Sequence, residues 1–141
     1  MTFSILLVDD SMPMRAVIKK AFIAAGYAGS DFSEAQNGIE ALERLKKSWI
    51  DLVVTDFTMP VMNGLEMLLK MKQHDIFKDI PVLVVTTEGS QEKIDQFMNS
   101  GAAGYIRKPF TPEQLRDMIT NILGESHGNE QSDNSDNDFD F

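Results

Sequence analysis

Two short runs, Leu52-Val53-Val54 and Val82-Leu83-Val84-Val85, are apolar at every position. A strand with one face in water alternates apolar and polar residues, because successive side chains point to opposite faces. A run without alternation fits a strand covered on both faces, as in a parallel sheet flanked by helices. Ile5–Val8 has the same character. The strands expected on this basis are Ser4–Val8, Asp31–Glu34, Leu52–Thr55, Val82–Thr86 and Gly104–Ile106.

Longer segments of helical period separate these runs. Asn37 with Glu40, and Asn63 with Glu66, have the spacing of a helix N-cap and its first-turn acid. Thr111 with Gln114 reads as a capping box, with Pro112 at the first helical position. Leu115, Met118, Ile119, Ile122 and Leu123 then form one apolar stripe. Ile18, Ala21, Phe22 and Ala25 do the same in the first helix, and Ile94, Phe97 and Met98 in the fourth, which Gly101 is placed to terminate. Five strand–helix units in a row imply an α/β fold, a parallel sheet with helices on both faces.

The chain of 141 residues suits one domain with a full core. It has no cysteine, which removes disulfides and cysteine–zinc sites. It shows neither a signal peptide nor an apolar run of membrane-spanning length. A cytoplasmic protein without membrane insertion is expected. The net charge of −9 argues against a nucleic-acid partner such as DNA, which calls for a basic face. Six of those charges sit in residues 125–141, where Glu125, Glu130, Asp133, Asp136, Asp138 and Asp140 occur without Lys or Arg. That segment has no periodicity and reads as a disordered acidic tail, leaving residues 1–124 as the folded domain.

Ligand sites in open α/β sheets lie beyond the carboxyl ends of the strands. Applied here, that rule gathers Asp9 and Asp10 after strand one, Asp56 after strand three, Thr86 at the end of strand four and Lys108 after strand five. Three carboxylates in one crevice raise each other's pKa unless a cation joins them. All-oxygen ligands suit a hard divalent ion, and few carboxylates with several waters suit Mg2+. A hydroxyl and an ammonium opposite them suit a phosphoryl group in transfer, and a carboxylate can itself be the nucleophile.

The stretches "LLVDDS", "VVTDFTMPVMNG", "VVTTE" and "GYIRKPF", in this order and at these strand ends, resemble the response-regulator receiver domain of two-component signalling. The resemblance covers roughly residues 3–124, and "DDSMPMR", with Met14 and Arg15, is similar to the single-domain chemotaxis type. It implies a flavodoxin-like sheet of order 2-1-3-4-5. It implies Asp56 as phosphoacceptor, and Mg2+ (or Mn2+) held by Asp9, Asp10, Asp56 and the backbone carbonyl of Thr58. Lys108 is implied to pair with Asp56 and then with the phosphoryl group. Thr86 would turn its hydroxyl toward that group and Tyr105 would swing inward behind it. The Lys108–Pro109 peptide is implied to be cis. Thr58 and Glu88 match positions that tune the acyl-phosphate lifetime. The implied protein is a phosphoacceptor signalling switch with self-catalysed phosphotransfer and autodephosphorylation rather than an enzyme. Its implied partners are a histidine kinase, an output protein such as the flagellar motor switch, and a phosphatase. A phosphate sink or relay intermediate is the alternative role. With no further domain expected after residue 124, output would be a contact made by the receiver itself.

Each residue also has a plainer reading. Asp9 or Ser11 can be a helix N-cap, Asp56 a solvated strand end, Thr86 ordinary strand chemistry and Tyr105 a core aromatic. The nine methionines and Trp49 read as packing residues, and His74 and His127 have no partner pattern. The acidic tail ends in "DFDF", which allows docking on a partner or back onto the domain. There are two rival classes, one sharing the architecture and the other an Asp nucleophile with Mg2+. A flavin mononucleotide-binding flavodoxin calls for a Ser/Thr/Gly-rich phosphate loop after strand one, where this chain has acids. A haloacid-dehalogenase-type phosphatase calls for an acid two residues after its nucleophile, where this chain has Ser11 or Thr58.

Overall fold

A computed structural model describes residues 3–87 and 89–124. The elements are β1 (Ser4–Val8), α1 (Met12–Phe22), β2 (Asp31–Ala35), α2 (Gly38–Lys47), β3 (Leu52–Thr55), α3 (Gly64–Lys72), β4 (Val82–Thr86), α4 (Gln91–Asn99), β5 (Gly104–Arg107) and α5 (Pro112–Ile119). Both α1 and α5 run on into a wider π-type turn, Ile23–Tyr27 and Thr120–Gly124. All strand pairs are parallel and the order is β2-β1-β3-β4-β5, as expected. Two strands run one residue further than their sequence pattern. β2 includes Ala35 because it pairs with Val8, and β5 includes Arg107 because it pairs with Thr86. The acidic tail and Glu88 lie outside the described residues.

The uninterrupted apolar runs are explained by what covers them. Leu6, Val8, Val53, Val82 and Val84 face Ala41, Leu45, Met67, Leu68, Met71 and Phe97, which belong to α2, α3 and α4. The alternate residues Ile5, Leu7, Leu52, Val54, Leu83 and Val85 face Ile18, Phe22, Leu115, Ile119 and Leu123, from α1, α5 and its extension. Every residue of β3 and β4 is therefore buried. The expected caps form. Asn37 caps α2, while Asn63 with Glu66 and Thr111 with Gln114 make full capping boxes. Gly101 follows α4 with φ of +109°, a conformation that suits glycine.

Trp49 differs from its expectation as a packing residue. It stands 78% exposed just beyond the C-cap of α2. Its indole N–H donates to Asp51 (2.8 Å), whose other carboxylate oxygen accepts from the Ser4 amide (2.8 Å). The indole is held by its polar edge rather than by its apolar body. His74 stacks on Phe77 with ring centroids 4.1 Å apart.

One glycine positions the rim. A Cβ on Gly64 would stand 2.4 Å from the carbonyl oxygen of Asp56 and 2.9 Å from the Phe97 ring, so the start of α3 packs directly on the chain leaving β3. Gly64→Ala is expected to destabilise the fold by about 1–3 kcal/mol, in spite of alanine's better helix propensity. Gly89→Ala, where nothing lies within 4 Å of the added carbon, is the matched control and is expected to stay near wild type. Urea denaturation midpoints of the two variants check this.

Candidate phosphoacceptor and metal site

Strand register brings the acids together. Val8 pairs with Thr55 in the parallel β1–β3 ladder, so the next residues, Asp9 and Asp56, leave the sheet side by side. The Asp56 amide donates to the Val8 carbonyl (3.0 Å), and the Asp9 amide to the Ala35 carbonyl (3.1 Å), which fixes both departures. One ligand oxygen from each of Asp9, Asp10 and Asp56 lies within 4.8 Å of the others. Asp9 is buried, Asp56 half-buried and Asp10 exposed.

Asp9 carries the electrostatic cost of this arrangement. It is only 2% exposed. Its Oδ1 accepts from the Ser11 amide (2.9 Å), but its buried Oδ2 has no hydrogen-bond partner. Burial, chiefly, and the charges of Asp56 and Asp10 push its carboxyl above the usual carboxylate range; the Ser11 amide and Lys108 oppose that shift. An orphaned buried oxygen beside two further carboxylates is the donor set that a hard divalent cation satisfies. The residues therefore fit Mg2+. Asp56 is tied at one oxygen, its Oδ1 accepting from the Phe57 amide (2.7 Å).

The cationic side is supplied from β5. Thr86 pairs with Arg107, and the Lys108 amide donates to the Thr86 carbonyl (2.9 Å), so both residues top adjacent strands. The Lys108 ammonium reaches back across the sheet to 3.8 Å from Oδ2 of Asp9. Its ion pair is thus with Asp9 and not, as the resemblance implies, with Asp56. The reason is that Asp9 is the more buried acid and its Oδ2 has no hydrogen-bond partner, whereas Asp56 is partly solvated. Thr86 is buried, and Thr58 is exposed in the loop after β3. The Lys108–Pro109 peptide is cis. Tyr105 lies outside the carboxylate cluster, half-buried against the core face formed with α2, α3 and α4.

Ser11, not Asp9, caps α1, its hydroxyl accepting from the Met14 amide (3.2 Å). The residue whose contacts the sequence left unread is Arg15. Buried at the head of α1, it donates to the backbone carbonyl of Asp9 and, at 2.6 Å, to the carboxylate of Glu34 on β2. A signal was present, since Arg15 continues the inward stripe of Ile18 and Phe22 and is a charge where a core residue belongs.

The raised carboxyl of Asp9 has a consequence for stability. A group that binds its proton more tightly when folded stabilises the fold below its unfolded pKa, near 3.8, and that contribution is lost as pH rises through the folded value. In EDTA, wild type therefore carries this cost at pH 7. Asp9→Asn is expected to be at least as stable as wild type there, with its advantage shrinking toward pH 4. Urea titrations at the two pH values check the sign.

The geometry has close counterparts. A family model for the response regulator receiver domain matches residues 5–120. The chain is 38% identical over 125 residues to a chemotaxis protein CheY homologue of Campylobacter jejuni, covering 88% of this chain and 95% of that one. It is 39% identical over 121 residues to the chemotaxis protein CheY1 of Helicobacter pylori, covering 85% and 96%. Among solved structures it is similar to the chemotaxis response regulator CheY4 of Vibrio cholerae, with a TM-score of 0.76, 34% identity, and coverage of 87% and 100%. No helix among the described residues is long and apolar enough to cross a membrane. The parallel sheet, the acid cluster at its carboxyl edge and these likenesses together make the chain a member of the response-regulator receiver family, a signalling protein of the CheY type.

Proposed function

We propose that the protein is a cytoplasmic switch whose residue Asp56 accepts a phosphoryl group from a histidine kinase, with a receiver domain over residues 1–124. The observation that carries this reading is the cluster of Asp9, Asp10 and Asp56, in which the buried Oδ2 of Asp9 has no hydrogen-bond partner. Mg2+, or Mn2+ in its place, would be held by those three carboxylates and the backbone carbonyl of Thr58. When bound, the ion offsets the negative charge that otherwise keeps a phosphoryl group away from this rim.

The chain's own residues then have distinct tasks. With Oδ1 of Asp56 bonded to the Phe57 amide, Oδ2 is the oxygen left to attack phosphorus. A P–O bond forms, the P–N bond of the donor phosphohistidine breaks, and its electron pair returns to the imidazole nitrogen. Lys108 exchanges its contact with Asp9 for one with the new phosphoryl group, and the Thr86 hydroxyl turns toward it. Tyr105 moves into the space that Thr86 leaves. The face built from α4, β5 and α5 shifts population between two states biased by these contacts. Self-catalysed hydrolysis, or a phosphatase, resets the switch.

The chemotaxis relatives support an output in chemotaxis, and the flagellar motor switch is the partner we propose for that face. Intact-mass spectrometry after incubation with acetyl phosphate and Mg2+ is the test. One added phosphoryl group is expected, absent in EDTA and absent in Asp56→Asn. No adduct combined with no Mg2+ binding by calorimetry would break the reading.

A further inference from the structure

Arg15 is a buried charge that the phosphoryl chemistry above does not use. Its side chain is 10% exposed, and it makes two contacts. One guanidinium N–H donates to the main-chain carbonyl of Asp9, and another donates to Glu34 at 2.6 Å. Desolvating a guanidinium is costly, and these two partners are what offset it. The three residues come from three elements: the end of β1, the first turns of α1 and the edge strand β2.

The consequence falls on Asp9. Its amide is bonded to Ala35, its carbonyl to Arg15, and its Oδ1 to the Ser11 amide. Those three bonds hold the residue's backbone and one carboxylate oxygen, and they leave Oδ2 to face Lys108 and the other acids. Without the carbonyl anchor, the peptide joining Asp9 to Asp10 loses one of the bonds that fix its orientation, and both carboxylates are attached to that peptide. A planar fork suits this task better than an ammonium, since one group must serve a carbonyl and a carboxylate at once. Among the described residues, Glu34 is linked to Asp9 by hydrogen bonds through Arg15.

We propose that Arg15, braced by Glu34, is a positioning residue that orients the Asp9–Asp10 turn for cation binding. The inference rests on the reading of the acid cluster as a Mg2+ site. Groups that orient the ligands of a metal typically change its affinity ten- to a hundredfold when removed. Arg15→Met is expected to raise the Mg2+ dissociation constant about tenfold or more by calorimetry. Arg15→Lys, which keeps the charge but not the planar fork, is expected to restore part of the loss. Glu34→Gln is expected to give a smaller rise. The double variant Arg15→Met with Glu34→Gln is expected to match Arg15→Met alone, because the two act in series.

A merely structural Arg15 would lower thermal stability and leave Mg2+ affinity unchanged, and that result overturns the proposal. Additive effects in the double variant overturn the role of Glu34. Amide hydrogen exchange in EDTA separates this inference from the reading beneath it. The Ser11 amide, bonded to Asp9, is expected to exchange faster in Arg15→Met relative to Val84 in the core. An unchanged ratio overturns the positioning role even if wild type binds no Mg2+, whereas absent Mg2+ binding with a changed ratio condemns only the metal reading. If Arg15→Met does not fold, Glu34→Gln, whose carboxylate is half-exposed, carries the same two measurements.

Discussion

The pairing of Val8 with Thr55 sets Asp9 beside Asp56, and much else at the rim answers the repulsion this creates. Two acids leaving adjacent parallel strands at one level cannot avoid each other, and Asp10 adds a third charge. The structure meets this with opposite charge and with dipoles. Lys108 crosses from β5 to Asp9, the Ser11 and Phe57 amides each take one carboxylate oxygen, and Arg15 holds the Asp9 carbonyl. The balance is still unfavourable for Asp9, whose carboxyl stays pushed above its ordinary range. A site held in that condition suits a cation.

This preparation depends on the two-sided core. Strands buried on both faces cannot shift by one residue without exchanging their two sets of packing partners. The register that aligns Asp9 with Asp56 is thereby locked by core residues of the same strands, such as Leu6 and Val53 on one face and Leu7 and Val54 on the other. Gly64 adds a second lock from above, since α3 begins in contact with the Asp56 carbonyl and leaves no room for a side chain. Packing and chemistry are coupled through the backbone of β1 and β3 and through the seat of α3 on the Asp56 carbonyl.

Much of the fold was legible because its signals are local. Apolar runs, N-caps such as Asn63 and Thr111, and the glycine after α4 each report on a few neighbouring residues. The acid cluster was legible at one remove, since strand ends converge once the sheet is parallel. Contacts that depend on side-chain competition were not. Lys108 choosing Asp9 over Asp56 turns on which carboxylate is more deeply buried. Trp49 facing solvent turns on the nearby Asp51 carboxylate. Neither outcome leaves a period or a spacing in the chain.

The sequence by itself determined the five strand–helix units, the helix caps and the set of acids, hydroxyl and lysine at the strand ends, because periodicity and capping are properties of short segments. Tertiary structure alone decided how those groups are wired. The contact between β2, α1 and the end of β1 that runs through Glu34, Arg15 and Asp9 joins residues from three elements, and its existence depends on how α1 seats against the sheet. The buried oxygen of Asp9 is of the same kind, since exposure is a property of the packed molecule and is written in no single stretch of chain.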